Sequence, residues 1–178
     1  MPLDSDEYAL EGIAHVHLID ARIFIPFVIA RLSEGQEVTS DELLVTLRDV
    51  GDGPAQRLLK LIWSKDSTPT QSLGVPERTV TEWAACGVAC VALAVYTSLR
   101  VRAVTVNGDR FDYWVDDGKR EYGLEVSGTV ADDLKARYRL KVRQLLDNPY
   151  GVDGFVIVVG FGTREVSFSF HRFEEGLR

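Results

Sequence analysis

Two acidic side chains stand inside stretches that otherwise read as buried strand: Asp112 in RFDYWVDD and Glu125 in EYGLEVSG. Successive residues of a strand point to opposite faces. Asp112, Trp114 and Asp116 therefore share one face, and Gly123, Glu125 and Ser127 share a face of the next strand. A tight turn at Asp117 to Lys119 joins the two, so cross-strand pairing can place Asp112 beside Glu125. Two like charges buried together are costly unless something positive holds them. A divalent cation does so, and carboxylate oxygens from two strands suit Mg2+ or Mn2+. The competing reading is that one or both acids face water on a half-exposed sheet.

The following segment supplies the opposite charge. From Leu134 to Leu146 the chain carries Lys135, Arg137, Arg139, Lys141 and Arg143 and no acid. Leu134, Tyr138, Val142, Leu145 and Leu146 form an apolar stripe at helical spacing. Arg137, Lys141 and Gln144 flank one side of it, and Lys135, Arg139 and Arg143 flank the other. Such a face is either plainly solvated, with its long stems snorkelling, or a surface that meets phosphates. Glu82 is the remaining acid of interest. It is the only charge between Thr79 and Leu99. A carboxylate in a first helical turn is stabilised locally, and it can also reach a metal site from above the sheet. His15 and His17 alternate, which fits a metal half-site or two ordinary strand histidines. Cys86 and Cys90, four apart in an apolar run, read as a reduced pair within a helix core.

These groups need elements to position them. The spacing predicts a helix over 79–99, then strands over 100–108, 110–117 and 121–128. Asn107 with Gly108 and Asp117 with Gly118 mark the turns between the strands. An amphipathic helix over 131–148 follows, stopped by Pro149, then an apolar strand over 154–162 and an alternating one over 165–173. The fold class is α/β, a central mixed sheet with flanking helices over 79–178. Residues 66–78, DSTPTQSLGVPER, read as a loop and the best internal boundary. Ahead of it, residues 1–65 read as a partly helical arm. Thr39 or Ser40 would cap a helix over 38–50, and Pro54 would open another through Lys65. Residues 14–32 fit a strand, or a helix capped by Asp20 and bent at Pro26.

Composition narrows the function classes. Apolar residues make up 46% and charged residues 26%, enough for a real core. The net charge of -7 argues against a nonspecific nucleic-acid coat. The acidity is local: residues 1–98 hold 7 basic and 14 acidic side chains, leaving 13 of each of the totals of 20 and 27 for 99–178. The second half can still present a basic surface. Two cysteines make no disulfide framework, and the acidic start lacks the basic region of a secretory leader. Both point to the cytoplasm. Trp83 to Leu99 is 17 residues without a charge. A spanning helix needs about 20, so a buried core helix is expected and no membrane partner. No P-loop, dinucleotide fingerprint or nucleophile elbow is present.

The order helix, three-strand meander, helix, strand resembles the core of the PD-(D/E)XK, restriction-endonuclease-like nucleases, over about residues 79–170. Phe111 and Asp112 stand where that motif begins. Glu125, Val126 and Ser127 stand where its acid, spacer and lysine fall, 13 residues later. Glu82 matches the acid that many members carry on the first core helix, and Lys141 and Gln144 resemble polar residues on the helix after the motif. The resemblance implies divalent-metal-dependent phosphodiester hydrolysis of a nucleic acid. Asp112, Glu125 and Glu82 would hold Mg2+ or Mn2+, and nucleic acid would lie against Arg137, Arg139, Lys141 and Arg143. Ser127 departs from the pattern, because a serine supplies no positive charge. Lys141 or Lys135 would have to take that role. The alternative is a noncatalytic module on the same scaffold, acting through a protein partner or a second copy, with exposed aromatics such as Trp114 in the contact.

Overall fold

The computed structural model describes residues 3–52 and 55–174. Its centre is one eight-stranded mixed sheet. The strands are β1 (Ser5–Ala9), β2 (Ser40–Arg48), β3 (Gln56–Ile62), β4 (Arg100–Val104), β5 (Tyr113–Asp116), β6 (Glu121–Thr129), β7 (Gly154–Gly160) and β8 (Glu165–His171). Across the sheet they run β1-β3-β2-β8-β7-β6-β5-β4. The helices are α1 (Ile25–Ser33), α2 (Glu77–Tyr96) and α3 (Leu134–Leu146). The α/β class with a mixed sheet and flanking helices is thus the observed one.

The second half of the chain keeps the expected order of elements, but the strands expected over 100–108 and 110–117 shrink to β4 and β5, and an irregular loop from Thr105 to Asp112 replaces the tight hairpin expected at Asn107 and Gly108. β4, β5 and β6 form an antiparallel meander, and α3 crosses over to β7, which lies parallel to β6. Every residue of β7 is buried, as a strand covered on both faces must be. α2 lies on one face of β6 and α3 on the other. α2 is the one helix among the described residues long and apolar enough to cross a membrane, and most of it is buried inside the protein. A core helix must be apolar all round, which explains that composition. Cys90 lies in its buried core, and the Cys86 thiol accepts a hydrogen bond from the Tyr113 hydroxyl at 3.2 Å. Burial pushes the Cys86 thiol up to about 12, so both cysteines are protonated.

The contact of α2 with β6 depends on Gly128. A Cβ there would sit 2.6 Å from the Thr81 carbonyl oxygen and 2.9 Å from the Ala85 methyl. Backbone cannot yield as a flexible side chain does. Gly128→Ala is expected to lower stability by about 1–3 kcal/mol, measured by urea unfolding.

The first half differs from its local signals. Residues 38–50 and 54–65 read as helices, yet they hold β2 and β3, with Pro54 outside the described residues. Leu43, Val45 and Leu47 are buried at every second position, as are Leu59, Leu61 and Trp63. That period belongs to a strand. Helix-favouring residues around them are a weak preference, which pairing outweighs. β2 pairs antiparallel with β3 and parallel with β8, so the first half supplies three strands to the same sheet. Within 14–32 the helical reading holds, with a difference. Asp20 accepts from the Arg22 amide at 3.3 Å and caps a 3-10 turn, and Pro26 falls in the first turn of α1, where it needs no donor.

His17 is structural. It is buried, with Nε2 3.0 Å from the Cys90 carbonyl and Nδ1 accepting from the Val101 amide at 3.1 Å. A ring that accepts at Nδ1 donates at Nε2, so it is neutral, and burial holds its pKa down. His15 is exposed. The two do not form a metal half-site.

Candidate functional site

β5 begins at Tyr113, one residue after Asp112, and the chain bends through 109–112 to enter it. Tyr113 pairs with Leu124, and the Asp112 amide donates to the Leu124 carbonyl at 2.9 Å. Continuing that register sets Asp112 opposite Glu125. The bend also turns Phe111 from its expected face, so that it packs with Trp114 and Leu145 on the α3 side. Asp112 Oδ2 accepts the Val126 amide at 2.8 Å. Glu125 is wholly buried on the α3 face of β6. The Lys141 ammonium, from the second half of α3, donates to Glu125 Oε1 and also to Gln144 Oε1 at 3.3 Å. Glu125 Oε2 is buried with no N–H or hydroxyl donor among the described residues, and the Glu125 carboxyl, when protonated, donates a hydrogen bond to that of Asp112.

Two carboxyls and one ammonium therefore meet where β5, β6 and α3 come together. Their electrostatics follow from burial. Desolvation pushes the Glu125 carboxyl up to about 8; the Asp112 charge adds to this and Lys141 opposes it. Desolvation also raises Asp112, against the pull of the Val126 amide and Lys141. A hydrogen bond between the two carboxyls pushes Glu125 up and holds Asp112 down, which leaves the shared proton on Glu125. Near neutral pH the cluster carries either a shared proton or two negative charges against one positive.

The other residues of interest lie elsewhere. Glu82 is exposed on α2 and ion-paired with Arg78 at 2.8 Å; it acts on Asp112 only as a nearby charge. Lys135 is exposed on α3, with no ion pair among the described residues. Arg137 pairs with Asp133 at 3.1 Å, while Arg139 and Arg143 are exposed. Ser127 is buried on the same face of β6 as Glu125. Trp114 is half-buried, packed against Phe111 and Tyr150; the exposed aromatics are Trp83 and Tyr150.

Sequence reasoning passed over a second polar group, on the far flank of α3. His171 Nε2 lies 2.8 Å from Ser169 Oγ and 3.3 Å from the Tyr138 hydroxyl, and the Arg48 guanidinium sits 5.1 Å over the Tyr138 ring. The alternation of EVSFSFHRF puts the serines and His171 on one face. Arg48 joins them only through the β2–β8 pairing, which no local pattern signals.

Among the described residues no group of three or more His, Cys, Asp or Glu side chains could hold a metal ion. An ion here would depend on Asp112 and Glu125, with water and a substrate phosphate completing its shell, an arrangement Mg2+ commonly accepts. The paired carboxyls, with no N–H or hydroxyl donor on Glu125 Oε2 among the described residues, fit that demand once their shared proton is released. No family model, no curated protein and no solved structure matches this chain.

Proposed function

We propose that this chain is a divergent restriction-endonuclease-like protein that hydrolyses phosphodiester bonds of a nucleic acid with Mg2+ or Mn2+. The observation that carries the reading is the meeting of Asp112, Glu125 and Lys141 in one buried cluster. Asp112 and Glu125 would hold the ion. When bound, the ion supplies an acidified water and charge to offset the developing negative phosphate. Lys141 provides the cation that Ser127 lacks, from the neighbouring helix. Its ammonium has three donors, so one can meet a phosphate oxygen while others hold Glu125 and Gln144.

Nucleic acid would approach over α3. Arg139 and Arg143 are exposed and free of ion pairs among the described residues, so their charge is available to phosphates. Reversing both to Glu is expected to weaken binding and flatten its dependence on salt by about two counterions. A binding series between 50 and 200 mM salt measures both; unchanged affinity and slope would leave α3 a solvated surface only.

The direct test of the site is calorimetry with Mg2+ and Mn2+, followed by cleavage assays on single- and double-stranded DNA and RNA. The alternative is a noncatalytic module on this scaffold, acting through protein contacts. Ser127 in place of the lysine favours it, and absence of metal binding would put it first.

A further inference from the structure

The loop that delivers Asp112 runs from Thr105 to Asp112 without regular structure. Its own main-chain bonds are few: the Thr105 amide donates to the Asp112 carbonyl at 3.0 Å, and the Asp109 amide to the Val106 carbonyl at 3.2 Å. Within it Asp109 is buried, although no lysine or arginine pairs with it among the described residues. Its oxygens are shared between two donors. Oδ2 takes the Val106 amide at 3.1 Å, and Oδ1 takes the hydroxyl of Tyr150 at 2.7 Å. Without a cation, a buried carboxylate depends heavily on such donors.

Tyr150 comes from the loop after α3, and that loop is held by the hydrogen bonds of one buried side chain. The buried Asn148 amide donates to the Leu145 carbonyl at 2.8 Å and the Val152 carbonyl at 3.0 Å. Its oxygen accepts the amides of Tyr150 at 3.0 Å and Val152 at 3.2 Å. The Tyr150 ring packs edge-on to Trp114 at 5.2 Å and Phe111 at 6.2 Å. A continuous chain of contacts thus runs from the end of α3, through Asn148 and Tyr150, to Asp109, three residues before Asp112. The same helix carries Lys141.

We infer that Asp109 and Tyr150 are positioning residues, a latch that fixes Asp112 relative to Glu125 and Lys141. Neither touches the acidic pair. Their hydrogen bond, beside the longer and exposed Arg110–Asp147 pair at 3.7 Å, ties the otherwise irregular loop to the segment that ends the ammonium-bearing helix, so the three charged groups keep one geometry. The consequence for metal binding rests on the proposed hydrolytic function; the latch itself does not.

Tyr150→Phe tests this, since it removes the hydroxyl and keeps the ring against Trp114. Two readouts are taken on the full chain: Mn2+ affinity by calorimetry, and the Val126 amide by 1H–15N NMR, because that amide donates to Asp112. The expected result is a roughly 10-fold loss of Mn2+ affinity, with a shifted and faster-exchanging Val126 amide and the β7 amides in place. Asp109→Asn combined with Tyr150→Phe should lose no more than the worse single variant, as members of one network do. An unmoved Val126 amide overturns the latch whatever the metal does. A moved amide with native Mn2+ affinity overturns its role in holding the ion. Should the native protein bind no Mn2+, the hydrolytic reading fails, and the Val126 amide alone decides the latch.

Discussion

Glu125→Gln is expected to abolish the rise in melting temperature that Mg2+ or Mn2+ gives the native protein, and to remove cleavage with it. An ion that binds only the folded state at 100 times its Kd stabilises by about 2.7 kcal/mol, which in a chain of this size is a shift of roughly 5–10 °C. Glutamine keeps the shape of the side chain and loses its charge. Half of the acidic pair is then gone, and Asp112 alone is a poor site. Without metal the sign reverses. Glu125 is pushed from 4.5 up to about 8 in the folded protein, chiefly by burial and then by Asp112. The folded state therefore binds the extra proton between those values. Stability falls as pH rises through that window, by up to about 1.4 kcal/mol per unit, and levels off above it. Glu125→Gln removes that slope, so the metal-free variant should exceed the native protein in stability at pH 8 and above. Thermal melts across pH 5–9, with and without ion, measure both effects. A native protein that binds neither ion ends the metal reading. A native protein whose stability does not fall over that window ends the assignment of Glu125 as the buried titrating acid.

Lys141→Met is expected to behave differently in each respect. The lysine stem is replaced by one of similar length, and the ammonium that meets Glu125 is lost. Above the titration of Glu125 this strands a buried carboxylate without its cation, a change that costs up to about 3–5 kcal/mol. Below that range Glu125 carries its own proton and the cost largely disappears. The variant should therefore be far less stable than the native protein at pH 8.5 and close to it at pH 5. Mn2+ affinity should hold or rise, because Lys141 no longer occupies Glu125 Oε1, and added Mn2+ should restore much of the lost stability. Cleavage should be lost. Metal binding without cleavage in Lys141→Met, beside loss of both in Glu125→Gln, would separate the role of the ammonium from that of the acids. Full cleavage in Lys141→Met would remove Lys141 from the site, and native stability at pH 8.5 would show that the ion pair does not hold Glu125. Lys135→Met serves as the comparison; that side chain is exposed and its loss should change neither property.

Much of the site was legible because its signals are local. The turn at Asp117 to Lys119 and the alternation on either side of it suffice to set Asp112 across from Glu125, although Asp112 lies in the bend just before β5 rather than in the strand. The stripe of α3 likewise set Lys141 and Gln144 on one flank and Lys135, Arg139 and Arg143 on the other. The order of helices and strands from 77 to 171 was readable for the same reason: each element carries its own period, and short turns leave neighbours little choice of partner.

Tertiary structure decided what depends on partners distant in sequence. Residues 40–48 carry capping-type residues at their start and leucines within, a pattern compatible with a helix. Pairing with β8, more than a hundred residues on, makes them a strand. Glu125 could have faced water or core; α3 lying over β6 buries it, and that burial raises its pKa. Glu82 and Lys141 were both candidates by type. The turn of α2 leaves Glu82 in solvent with Arg78, while the turn of α3 lays Lys141 onto Glu125. Asp109 and Tyr150, 41 residues apart, carried no local signal. Residue types and spacing name the groups able to do chemistry, but charge state and contact follow from which surfaces the packed elements cover, and a one-dimensional pattern does not contain that information.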